Sequence, residues 1–196
     1  MDSVYHVMRG LIRPHPLPTI IRQFQSLLGK ETLVQFTEIA EGCLPDTILS
    51  PVGTGSRAVG IFYPFIRHET VRLVGIEAEN AAPLTHGSIG ILFGCKTYVL
   101  QDTDGQILQS CSASSEMNLS IAGPELAHWK DTEQVTYVTG TDSDALEGNS
   151  LEGARKHRYI NQPSSVSLSH LDLSSLYRLP ILSGILPEPS TSLQLA

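Results

Sequence analysis

Charge and aromatic rings are both scarce in this chain. Asp, Glu, Lys and Arg make up 17% of its 196 residues, and Phe, Trp and Tyr only 6%. Thirteen basic against 20 acidic residues leave a net charge of −7, which argues against a nucleic-acid surface. The nearest thing to a basic run, Arg155-Lys156-His157-Arg158, reads as a solvated patch. No apolar run approaches the roughly 20 residues that cross a bilayer. The N-terminus has no signal-peptide pattern, so a cytoplasmic protein without a membrane span is expected. The three cysteines, Cys43, Cys95 and Cys111, are odd in number and lack metal-ligand spacing. They read as reduced thiols. None of the seven histidines has a partner at ligand spacing, so no metal is expected. His86 and His128 are placed in loops. No Ser/His/Asp or Cys/His arrangement suggests a nucleophilic triad.

Helical and extended patterns alternate along the chain. Pro16 and Pro18 suit the first turn of a helix and Gly29 its end, with Ile20, Ile21, Phe24, Leu27 and Leu28 as an apolar stripe between them. A second helix is expected over 31–41, stopped by Gly42. Thr47-Ile48-Leu49-Ser50 reads as a strand and Ile61 to Ile66 as a helical run whose aromatic residues Phe62, Tyr63 and Phe65 belong to a core. Val71 to Glu77 is apolar nearly throughout, as a buried parallel strand is. Ile89 to Phe93 reads as a short extended piece. Tyr98 to Gln101 and Gln106 to Leu108 flank Asp102-Thr103-Asp104-Gly105, a hairpin turn. After a strand over 135–138, Thr141 caps a final helix, with Asp144 placed for a capping box.

Between the first strand and the helical run lies Pro51-Val52-Gly53-Thr54-Gly55-Ser56-Arg57. A strand that enters a Gly-rich turn and then opens a helix presents several backbone N–H groups at one point. Glycine permits positive φ and a close approach of an anion to the backbone. Ser56 adds a hydroxyl donor and Arg57 a charge. The residues alone leave two readings open, a phosphate site or a plain strand-to-helix turn.

With its surroundings, the loop resembles the tryptophan synthase β chain. Gly53 to Gly60 followed by Ile61-Phe62-Tyr63-Pro64-Phe65 is similar to that family's phosphate loop, usually Gly-Gly-Gly-Ser-Asn-Ala. Arg13-Pro14-His15-Pro16 is similar to its Gly-Pro-His-Pro segment, and Val71 to Ala78 to its next core strand. Leu84-Thr85-His86-Gly87-Ser88 leads into Lys96 to Asp102 in the family's order. Gly123-Pro124-Glu125-Leu126 with Trp129-Lys130-Asp131 is similar to the fungal branch.

The resemblance covers about Tyr5 to Glu147. It implies an α/β fold of the fold type II class, a partial three-layer βα sandwich with an irregular C-terminal tail. By the same resemblance Gly53, Thr54, Gly55, Ser56 and Arg57 hold the phosphate of pyridoxal phosphate. The implied activity is a lyase of tryptophan biosynthesis that condenses indole with L-serine. The implied partners are a tryptophan synthase α subunit or domain and a second β chain.

Several residues depart from the family pattern. The family's Schiff-base lysine, and the glutamate that serves as its acid and base, lie upstream of anything present here. None of Lys30, Lys96, Lys130 and Lys156 matches the lysine position, and each reads as a surface or strand-end residue, with Lys30 on a helix boundary. No catalytic residue is therefore assigned. Thr54 places a β-branched side chain where the family can use positive φ, an expected strain on the loop. Arg57 either pairs with a phosphate or fills the site. Met8 to Arg13 puts arginines and large apolar groups where the family is small and Gly/Thr-rich. Asn118 stands where the family has an aspartate, and cannot carry its charge.

From Gly148 to Ala196 the composition turns to serine, leucine and proline, and the expected division is a 1–147 fragment and a 148–196 loosely ordered tail. Within that tail Leu151-Glu152-Gly153 is weakly similar to a family Leu-Glu-Gly. The alternative to an enzyme is a non-catalytic remnant, a pseudoenzyme that binds a phosphate ligand or a partner.

Overall fold

A computed structural model describes residues 10–148. The elements run α1 (Leu17–Ile39), β1 (Thr47–Pro51), α2 (Ser56–Phe62), β2 (Arg72–Ala78), α3 (Pro83–His86), β3 (Ser88–Leu92), β4 (Cys95–Val99), α4 (Pro124–Asp131), β5 (Thr136–Gly140) and α5 (Asp142–Gly148). The expected tail, with its basic run and its Leu151-Glu152-Gly153, lies outside the described residues. So do Met8 and Arg9.

Three parallel strands form a sheet in the order β1-β2-β5. Ile48 pairs with Leu73, and Ile76 with Val138. Because side chains alternate along a strand, each register position belongs to one face. On one face Ile48, Val52 and Leu73 pack with Ile21 of α1, Ala58, Val59 and Phe62 of α2, and Leu126 and Trp129 of α4. On the other face Ile76, Ala78, Leu49 and Val138 pack with Met117 and Ala145. Central β2 meets protein on both sides, which explains its nearly continuous apolar run. Phe62 and Phe65 are fully buried, as their spacing predicts. The result is a partial α/β sandwich, in which the described residues that cover the second face come from α5 and the segments around Ala81 and Met117.

Several expectations change. The two predicted N-terminal helices are one, Leu17–Ile39, running straight through Gly29. Gly29 is not a stop. A Cβ there would lie 2.7 Å from the carbonyl oxygens of Gly60 and Ile61, and one on Gly60 would lie 2.5 Å from the Gln25 oxygen. Both glycines let the backbones of α1 and α2 touch, a packing demand invisible to local pattern. It also moves Lys30 from a helix boundary to mid-helix. Next, α2 starts at Ser56, five residues before the apolar run at Ile61, and ends at Phe62.

Finally, the regular hairpin is β3–β4, turning at Phe93 (φ 51°) and Gly94 (φ 79°). The Asp102 turn does close, with the Asp102 carboxylate accepting from the Asp104 and Gln106 amides at 3.0 and 2.8 Å. Its flanks make only a single bridge, Gln101 to Ile107. The reason is that Leu100 donates instead to the Ser120 carbonyl and Val99 bridges to Ile121.

The capping box forms as expected. The Asp144 amide donates to Thr141 Oγ1 at 3.0 Å, and the Thr141 amide donates to the Asp144 carboxylate at 3.1 Å. His86 and His128 are helical, in α3 and α4, rather than in loops.

Candidate anion site at the first strand-to-helix turn

The Gly-rich loop lies at the carboxyl end of β1, beside the carboxyl end of β2. That is where open parallel sheets place their ligands. Val52 continues the pairing for one residue, its amide donating to the Ile76 carbonyl at 2.7 Å. Gly55 then takes φ 85° and caps α2, with no side chain capping the helix start. A Cβ on Gly55 would lie 2.7 Å from Leu126 Cδ1, so the loop rests directly on the core. The first intrahelical bond is Val59 N to Gly55 O at 2.9 Å, and the amides before it have no acceptor within α2. Seven residues give α2 only a short run of aligned peptide dipoles. An anion placed there would be held mainly by hydrogen-bond donors rather than by a macrodipole.

Two hydroxyls join those amides. Thr54 Oγ1 and Ser56 Oγ are 3.5 Å apart at the rim of a cavity of about 170 Å³. Gln25, Pro51, Gly53, Gly55, Arg57 and Glu116 complete most of its wall. The space is smaller than the roughly 300–1,000 Å³ of a site that encloses a whole organic ligand. It suits a phosphate-sized group. The strain expected at Thr54 is absent, because positive φ in the loop falls on Gly55 alone.

The five loop residues are thus brought together, but with a neighbour that sequence reasoning missed. Glu116 crosses over the loop so closely that a Cβ on Gly53 would lie 2.1 Å from its carbonyl oxygen. Its carboxylate meets the Arg57 guanidinium at 3.2 Å. Asn118 lies two residues further on, its amide donating to the Ser114 carbonyl at 3.0 Å. The Arg13 guanidinium stacks 5.3 Å from the centre of the Phe93 ring, toward the β3–β4 hairpin, and Leu11 is in the core. Among the described residues no lysine lines the cavity.

A second polar cluster was also unforeseen. Glu77 is fully buried on β2, and its carboxylate accepts from the amides of Leu84 and Thr85 at 2.9 and 2.8 Å and from the Thr85 hydroxyl at 2.7 Å. Burial pushes its pKa up to about 7, against those hydrogen bonds and the charge of Lys130, which pull it down. Lys130, expected to be a bland surface residue, donates to the Leu84 carbonyl and lies 4.0 Å over the Tyr98 ring. Tyr137 donates to the Leu126 carbonyl at 3.0 Å, and its phenol is pushed well above the ordinary value by burial and by Glu77. The one signal in the sequence was an acidic residue inside an apolar strand. The described residues hold no group of three or more His, Cys, Asp or Glu able to bind a metal ion. No helix among them is long and apolar enough to cross a membrane.

Comparison with known proteins gives a consistent set of relatives. The chain is 42% identical over 159 residues to the tryptophan synthase of Saccharomyces cerevisiae, covering 77% of this chain and 22% of that protein. It is 45% identical over 158 residues to the tryptophan synthase beta chain of Cereibacter sphaeroides, covering 76% and 39%. Against the same chain of Methylibium petroleiphilum it is 43% identical over 155 residues, covering 75% and 37%. The chain therefore spans about one fifth to two fifths of the length of the curated relatives it matches. No protein-family model matches it. Among solved structures, a threonine deaminase from T.th. aligns at 22% identity and TM-score 0.46, over 67% of this chain and 44% of that one. An O-ureido-L-serine synthase aligns at 18% and 0.40, over 66% and 33%.

Proposed function

Since the chain belongs to the tryptophan synthase β-chain family, as a partial segment of it, we propose that its Gly53–Arg57 loop is the phosphate-holding part of a pyridoxal-phosphate site. One observation carries the reading: the loop residues Gly53 to Arg57, with the paired hydroxyls of Thr54 and Ser56, line a cavity of phosphate size at the start of α2. The Ser56 and Thr54 hydroxyls and the loop amides would donate to phosphate oxygens, and Arg57 would supply charge from the rim. When bound, the cofactor supplies an aldehyde and an electron-accepting ring. The rest of that chemistry needs a lysine, and none of the described residues lining the cavity is one.

The reaction proposed for the complete enzyme is the condensation of indole with L-serine to L-tryptophan, in the cytoplasm, with an α subunit or domain and a second β chain as partners. The isolated chain is proposed to hold half of that site and to be inactive alone, 1–147 being the enzyme-like part and 148–196 a separate tail. The alternative is a remnant that binds a phosphate ligand or a partner without turning it over.

Thermal unfolding of the chain with and without pyridoxal phosphate tests this. Binding stabilises the folded state by about 2.7 kcal/mol at a hundred times the dissociation constant. Ser56→Ala and Arg57→Ala should each weaken the shift, and borohydride should trap no lysine adduct. A cofactor-dependent shift that neither substitution changes would place the site elsewhere.

A further inference from the structure

We propose that Glu116 is a built-in competitor for the anion position of the Gly53–Arg57 loop: its carboxylate occupies Arg57 and sets the affinity for phosphate. This rests on the reading of the loop as a phosphate site and goes beyond it, because it assigns a control element on a different part of the chain.

The argument starts from how firmly Glu116 is held. Its backbone passes over Gly53 at a distance that only a missing side chain allows. The next residue, Met117, is buried against Ile76 and Ala145 on the second face of the sheet. Two residues before Glu116, the Ser114 carbonyl accepts from the amides of Met117 and Asn118, at 3.1 and 3.0 Å, closing a turn around it. The base of the same loop is tied to α5, with the Asp142 carboxylate accepting from the Ala113 amide at 2.8 Å and the Ser112 hydroxyl at 3.1 Å. Anchored on both sides, Glu116 keeps its carboxylate at the cavity wall.

That carboxylate is an anion placed where another anion is to bind. It meets Arg57 at 3.2 Å, and the two side chains share the wall with Ser56 and Thr54. A phosphate seated on the loop gains Arg57 only by sharing it with Glu116. It also takes a like charge as a neighbour across a small space. Both effects lower affinity in proportion to the charge on Glu116. The pair is partly exposed, so the effect is a matter of several-fold rather than many powers of ten.

The test is a calorimetric titration of the full chain with inorganic phosphate and, separately, with pyridoxal phosphate. Glu116→Gln removes the charge and keeps the shape, and should bind both about three- to tenfold more tightly. Glu116→Ala should show the same gain, which covers a failure of the first variant to fold. The gain should shrink in an Arg57→Ala background, since the two side chains act on one ligand. Glu38→Gln removes the same charge from an exposed position on α1 and should change nothing.

Equal or weaker binding by both Glu116 variants, with wild type still binding and Ser56→Ala still weakening it, overturns the competitor and leaves the loop assignment standing. An equal gain from Glu38→Gln also overturns it, making the effect one of net charge. No binding by any protein, wild type included, to millimolar ligand removes the phosphate site itself and this inference with it.

Discussion

Glu77 offers the sharpest physical test of the fold, because its carboxyl is buried completely and its pKa is raised from 4.5 to about 7. Desolvation is the leading cause, so the neutral form is the one the folded state prefers. In the unfolded chain the same carboxyl ionises near its ordinary value. Between pH 4.5 and 7 the folded state therefore holds more protons, and stability falls as pH rises. The full contribution is present below pH 4.5 and is lost by the time pH passes 7. At 1.36 kcal/mol per unit, a shift from 4.5 to 7 corresponds to about 3 kcal/mol on an order-of-magnitude basis.

Glu77→Gln should abolish that slope. It also costs about 1–3 kcal/mol at low pH, since one side of the amide presents a donor to amides that now meet carboxyl oxygens. Urea unfolding followed by circular dichroism from about pH 4.5 to 8 gives both quantities. The stability difference, wild type minus variant, should be largest at pH 4.5 and fall by about 3 kcal/mol by about pH 7.5. That is a shift of roughly 1–3 M in the relative urea midpoint. A difference that stays constant, or grows with pH, would refute the assignment of Glu77 as a desolvated carboxyl.

Three further outcomes test the packing and capping of the fold. Gly29→Val should destabilise the chain by about 2 kcal/mol or more, since the new side chain meets the Gly60 and Ile61 carbonyls rather than open space. Exposed Gly42, with nothing within 4 Å of where a Cβ would lie, should accept alanine at about 1 kcal/mol, the cost of its φ of 91°, and chemical denaturation compares the two. Thr141→Ala removes the hydroxyl that receives the Asp144 amide, and should cost about 1 kcal/mol in the same assay.

Much of this protein was decided by local chemistry and so was legible in the residues. Strand β2 announced itself by an apolar run that only a strand covered on both faces carries. The Thr141–Asp144 box needs two side chains three residues apart and nothing else. The order of motifs from Arg13 to Asp131 was enough to indicate the family, and the Gly53–Arg57 loop was marked by glycine spacing after a strand. Each of these is a relation between residues a few positions apart.

What the sequence left open depends on residues distant along the chain. Gly29 looks like a helix end, and only the approach of Gly60, 31 positions later, shows that it is a contact point within one helix. Glu116 has no motif of its own, and it became part of the loop because folding laid its backbone over Gly53. Lys130 looked like surface until the fold set it beside Leu84 and Tyr98. The sequence determined which elements form and which family they belong to, since propensity, period and turn chemistry act over a few residues. The tertiary structure alone decided which charges share a cavity and which are stripped of water, because both depend on what packs from elsewhere in the chain.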